Sequence, residues 1–135
     1  MAELFTWDAS KFGVNVASMD NEHKEIIRLM NHLYSLHTEK KPAGEVEKAI
    51  NTLATYTVKH FKDEEDYFSK LPAYADSVKT HIIIHQDLLK KFTVHAENFK
   101  KTQKLDDSFF QFLKMWLAAH IVGVDKKYSA ASKAA

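Results

Sequence analysis

The stretch from Thr57 to His85 constrains this chain more than any other. It reads T-V-K-H-F-K-D-E-E-D-Y-F-S-K-L-P-A-Y-A-D-S-V-K-T-H-I-I-I-H. His60 and Glu64 are four residues apart, and so are His81 and His85. On a helix that spacing puts both side chains of a pair on one face, one turn apart. Leu71-Pro72-Ala73-Tyr74 lies between the pairs and turns the chain back, because proline cannot continue a helix. The two pairs can then face each other. Imidazole and carboxylate together suit iron, zinc or manganese. The hairpin reads as half of a buried dinuclear metal site.

The rest of the chain supplies partners for that hairpin. Ile26, Ile27, Met30, Leu33 and Tyr34 form a helical stripe, and extending it backwards by three or four residues reaches His23. This first helix opens near Ser18 or Asp20, either of which can cap it, and stops before Glu39-Lys40-Lys41-Pro42-Ala43-Gly44. The second helix carries Val46, Ala49, Ile50, Leu53 and Thr57 towards His60 and Glu64. The third is expected from about Ala75 to about Lys101, with Val78, His81, His85, Leu88, Leu89, Phe92, Ala96 and Phe99 on one face. In the fourth, Phe109, Phe112, Leu113, Trp116 and Leu117 lead to His120, followed by Gly123 and Asp125. Residues 1–17, with Trp7 and Phe12, show no helical period and are expected to form an arm across the bundle. The small-residue tail, 129–135, is expected to fray. The fold expected is all-α: one domain over residues 1–135, an antiparallel up-down-up-down four-helix bundle.

Composition narrows the chemistry. Only 3 Gly and 2 Pro in 135 residues favour long helices over a turn-rich β fold. With no Cys, disulfides, thiolate zinc sites and cysteine nucleophiles are excluded. The 19 basic and 18 acidic side chains are scattered, leaving no footprint for nucleic acid. No apolar run approaches a membrane span, and Met1 to Asp8 does not resemble a signal peptide. A cytoplasmic location is the default expectation. Eight His remain to be explained.

A site inside a bundle needs its donors at one level. With the boundaries above, His23, His60, His85 and His120 each lie about 21–23 Å from the opposite end, at a rise of ~1.5 Å per residue. One His on an apolar stripe is ordinarily a hydrogen-bonded core residue. Five at one level, with two carboxylates, would leave buried polar atoms unsatisfied and charges unpaired without a metal. Glu64 is the carboxylate in line with His60, about 40° away, whereas Asp63 and Glu65 lie about 60° and 140° off and are assigned to solvent or the flank. Asp125, at i+5 from His120, needs a widened turn, which Gly123 makes plausible. His32 is expected in solvent, and His37 and His95 in exposed or rim positions at the far end.

The order His, His-x3-Glu, His-x3-His, His-x4-Asp resembles the hemerythrin family. It is carried by M-D-N-E-H-K at His23, H-F-K-D-E-E at His60, H-I-I-I-H at His81 and H-I-V-G-V-D at His120. The resemblance implies two non-haem iron ions with a bridging oxo or hydroxo group. His81, His85 and His120 would bind one iron and His23 and His60 the other, with Glu64 and Asp125 bridging. It implies dioxygen as the ligand, held reversibly for storage, delivery or sensing, with a protein partner receiving the oxygen as a further possibility. Trp116, Leu117, Phe61 and Ile84 would wall the pocket, and Tyr128 matches a tyrosine often near the site. Phe68 stands where the family often has methionine, and the turn at Leu71 to Tyr74 is rearranged. The alternatives are a di-iron redox enzyme acting on peroxide or nitric oxide, or an iron or redox sensor. No Glu has a His three residues later, which disfavours a ferritin-like oxidising site. Five His and two carboxylates favour carrying dioxygen over splitting it.

Overall fold

Helix α1 (Ala17–Thr38) leads by a four-residue turn into α2 (Ala43–Phe68); α3 (Val78–Thr102) and α4 (Asp107–Met115) follow. The computed structural model describes residues 17–105, 107–116, 120 and 121. The expected arm with Trp7 and Phe12, together with Leu117, Gly123, Asp125, Tyr128 and the tail from residue 129, lies outside them. Short connections make successive helices antiparallel, and the four α-helices form an up-down-up-down bundle. There is no strand among the described residues.

The stripes seen in the sequence are the faces that meet. On α1, Ile26, Ile27, Met30 and Leu33 are buried, and Met19 and Leu29 widen the face. On α2, burial runs without a gap from Val46 through Ala49, Ile50, Leu53, Thr57, His60, Phe61 and Glu64 to Phe68. Helix α3 contributes less. His81, His85, Phe92 and Phe99 are buried, while Val78, Leu88, Leu89 and Ala96 are half-covered. On α4 the buried phenylalanines are Phe109 and Phe110, and Phe112 is only half-buried. Phe110 is drawn in by an edge contact with Tyr34, centroids 5.1 Å apart, and by His37 at 5.0 Å. Each fully buried ring contributes roughly 1.5–3 kcal/mol, so these phenylalanines anchor α4 at the end remote from His120.

Helix ends differ from the sequence expectation in ways that have local causes. Ser18 and Asp20 are not caps. The helix already begins at Ala17, and Asp20 lies in its first turn, where its charge complements the helix dipole. Ala43 and Gly44 belong to the first turn of α2, because Pro42 stands just outside it with extended backbone, φ −53° and ψ 146°. Helix α1 closes with Lys40 in the left-handed region at φ 55°. Lys41 N–H donates to Leu36 O and Lys40 N–H to His37 O, the bond pair of a Schellman ending. The third helix starts at Val78, not near Ala75. Pro72–Ser77 instead forms a short 3-10 helix, and that turn carries Tyr74 into the core.

Candidate metal centre

Helix α2 places three consecutive stripe positions at one end of the core: His60, Phe61 and Glu64, all essentially inaccessible to solvent. Glu64 is the hub. Its Oε2 lies 3.3 Å from His23 Nε2 on α1 and 3.5 Å from His60 Nε2. Its Oε1 lies 3.1 Å from His85 Nε2 on α3. His85 Nε2 is in turn 3.1 Å from His120 Nε2. One group of possible donor atoms is thus His23, His60 and Glu64; the other is Glu64, His81, His85 and His120. Within each group the atoms lie within 4.8 Å of one another, and every residue is buried.

Outer partners turn the imidazoles. Glu22 Oε1 accepts from His60 Nδ1 at 2.7 Å, and Glu65 Oε2 accepts from His85 Nδ1 at 2.8 Å. An ionised carboxylate only accepts, so these bonds keep a proton on Nδ1 and turn Nε2 inward, towards Glu64. Tyr74 Oη lies 2.8 Å from His81 Nδ1 and holds that ring in the same sense. Aromatic faces complete the clamp. His85 stacks on Phe61 with centroids 3.9 Å apart, and His81 stacks on Phe68 at 4.4 Å.

Charge at the hub follows from these contacts. Burial alone raises the pKa of Glu64. The neighbouring His60, and hydrogen bonds from His23, His60 and His85, act the other way and prevail, holding the carboxyl well below its ordinary range. An ionised carboxylate surrounded by inward-facing imidazole nitrogens fits a divalent or trivalent metal of the iron, manganese or zinc type.

Several expected residues are brought together: His23, His60, Glu64, His81, His85 and His120. Asp125 lies outside the described residues, as does Leu117. Of the expected pocket walls, Phe61 and Trp116 are buried and meet edge to face at 5.8 Å. Ile84 is half-buried, and on that turn it is Ile82 that packs against the apolar core. The widened turn expected at Gly123 lies outside the described residues; upstream of it, Trp116, His120 and Ile121 have π-helical geometry. His32 is exposed. His37 and His95 are half-buried at the far end, His95 lying 5.2 Å from both Phe109 and Phe112.

Nothing in the spacing places Glu22 or Tyr74 at the site, and the helical angle points Glu65 to solvent or the flank. Glu65 does point sideways from α2 and is partly exposed, but its side chain reaches across to α3. Glu22 adjoins His23 in sequence, yet the histidine it holds lies 38 residues on. No local spacing reports a contact of that kind.

A four-helix bundle with a buried histidine–carboxylate cluster at one end defines a metal-binding helical protein. This chain belongs to the hemerythrin family: the family model described as "Hemerythrin HHE cation binding domain" matches residues 14–131. It is similar to a bacteriohemerythrin of Methylococcus capsulatus, 36% identical over 132 residues, covering 93% of this chain and 94% of that protein. It is also similar to a hemerythrin-like protein of Naegleria gruberi, 34% identical and covering 92% and 90% of the two chains. Its fold superposes on the crystal structure of a wild-type hemerythrin with a TM-score of 0.84 at 31% identity, over 95% of this chain and 97% of that one. Among the described residues, no helix is long and apolar enough to cross a membrane.

Proposed function

We propose that this chain holds a pair of non-haem iron ions and binds dioxygen reversibly, for storage, delivery or sensing within the cytoplasm. The observation that carries the reading is the sharing of Glu64 between two unequal donor groups, one with two histidines and one with three. A single carboxylate reaching both groups suits a bridge between two ions. When bound, the iron pair would supply the two electrons that reversible dioxygen binding draws on. The group with fewer histidines would leave room for the exogenous ligand, and Asp125, outside the described residues, would add a second carboxylate to hold the ions.

The protein side of the mechanism is orientation and exclusion. Glu22, Glu65 and Tyr74 turn the inward nitrogens of His60, His85 and His81. Phe61 and Trp116 wall the cluster and keep water away from it. An apolar wall of this kind would disfavour the release of charge from the site into solvent. The family's oxygen binding, and the predominance of neutral imidazole donors, support a carrier over an enzyme.

The test is a visible spectrum of iron-loaded protein, reduced without air, exposed to air, then degassed. A charge-transfer band that grows in air and fades on degassing is expected. An irreversible diferric spectrum, or turnover of excess peroxide or nitric oxide, would move the assignment to a redox enzyme. Two variants locate the band. His120→Ala should abolish it, and His37→Ala should leave it unchanged.

A further inference from the structure

The two donor groups are held in place by different means. In the three-histidine group, His85 is fixed by a flat stack on Phe61 and by Glu65, and His81 by a stack on Phe68 and by Tyr74. In the two-histidine group, His60 meets no such stack among the described residues. Its aromatic neighbours are His23, edge-on at 4.7 Å, and Phe61, tilted by 47° at 5.9 Å. The 2.7 Å bond to Glu22 orients the His60 ring.

Glu22 is itself held from outside. Lys59 Nζ sits 3.4 Å from Glu22 Oε2 and 2.8 Å from Asp63 Oδ2. Lys59 is exposed, whereas the Glu22 side chain is only 14% accessible. A chain of charged contacts therefore runs Asp63, Lys59, Glu22, His60 from the surface to the cluster, and its surface link is open to salt. Glu65, the corresponding carboxylate on the other side, shares the fixing of His85 with the flat stack on Phe61.

We propose that Glu22, anchored by Lys59, is the positioning residue of the two-histidine metal position, and makes that position separately exchangeable from the three-histidine one. The inference rests on the metal-centre reading above. Removing a carboxylate that orients a ligating histidine typically lowers metal affinity 10- to 100-fold. Here that loss falls on one ion of two.

The experiment loads full-length protein with ferrous iron without air and measures iron content and the rate of release to a chelator. Wild type should hold two ions. Glu22→Ala should release one ion about 10–100-fold faster and the other at the wild-type rate. Glu22→Gln, whose amide oxygen can still accept from Nδ1–H, should fall between. Lys59→Ala should reproduce part of the effect, and salt should accelerate the same ion in wild type but not in Lys59→Ala. Thermal unfolding of the metal-free proteins reports any general loss of fold. Two ions released by Glu22→Ala and Glu22→Gln as slowly as by wild type would overturn the proposal and leave the metal centre standing. Equal acceleration of both ions would overturn it too, since the role would then be general. Wild type that holds no iron would sink the metal-centre reading itself, and the inference with it.

Discussion

Phe61 lies flat against His85, ring centroids 3.9 Å apart and planes 3° from parallel. One residue thus fills the core of α2 and fixes a donor on α3. The two jobs separate by substitution. Phe61→Ala removes a ring that is 2% exposed and should cost about 3–5 kcal/mol. Phe61→Leu should keep most of that stability but free the imidazole to rotate. Urea unfolding of metal-free protein and iron retention, measured side by side, should therefore diverge for leucine and fall together for alanine. A leucine variant with wild-type retention would mean that Glu65 alone fixes His85.

Tyr74 makes a different use of the core. Its ring is buried beside Phe68, at 5.3 Å, and its hydroxyl meets His81 Nδ1. Tyr74→Phe keeps the ring and deletes the bond. The fold should lose roughly 1 kcal/mol, while iron retention on the three-histidine side should weaken measurably. If chelator release is unchanged, the stack of His81 on Phe68 suffices and the hydroxyl is only a satisfied core group.

These contacts mark where the sequence was legible. A stripe at helical spacing reports what faces the core, so spacing alone groups His60, Glu64, His81 and His85. Helix ends were less legible. Polar residues such as Ser18 can stand before or within a first turn, and Ala43 and Gly44 have no side chain that distinguishes loop from helix after Pro42. Outer partners were least legible. Glu22, Glu65 and Tyr74 reach donors on other elements, and their positions depend on how the helices rotate against each other. Tyr74 was hidden further because its turn folds as a 3-10 helix instead of extending α3.

Glu64 predicts a pH dependence with a definite sign. Its ordinary value is 4.5, and burial would raise it, but His60 and the three imidazole hydrogen bonds hold it well below that. Below 4.5 the unfolded chain therefore binds a proton that the folded chain still refuses. Stability contributed by Glu64 is full above about pH 5 and is lost as pH falls through the folded value. The slope is at most about 1.4 kcal/mol per pH unit for one proton. Urea titrations of metal-free protein between pH 5 and pH 3 should be less steep in pH for Glu64→Gln than for wild type. Equal slopes would mean that the buried carboxyl is already protonated when metal-free.

Thr57 offers the opposite kind of test, one in which a polar group should be dispensable. It lies one turn before Phe61 on α2 and is 2% exposed. Among the described residues its hydroxyl meets no hydrogen-bond partner. The space it shares with Phe61, Leu88, Leu89, Phe92 and Trp116 has no room for a water molecule. A buried hydroxyl in that setting costs on the order of 1–3 kcal/mol relative to an apolar group of its shape. Thr57→Val keeps the branched outline and removes the oxygen. It should raise the stability of the metal-free protein by about 1 kcal/mol, seen as a higher urea midpoint at unchanged slope. Its effect after iron loading discriminates further. An equal gain in both forms means that the hydroxyl is a packing residue throughout. A gain confined to the metal-free form means that loading supplies the oxygen with a partner, which would put Thr57 on the wall of the ligand pocket beside Phe61 and Trp116.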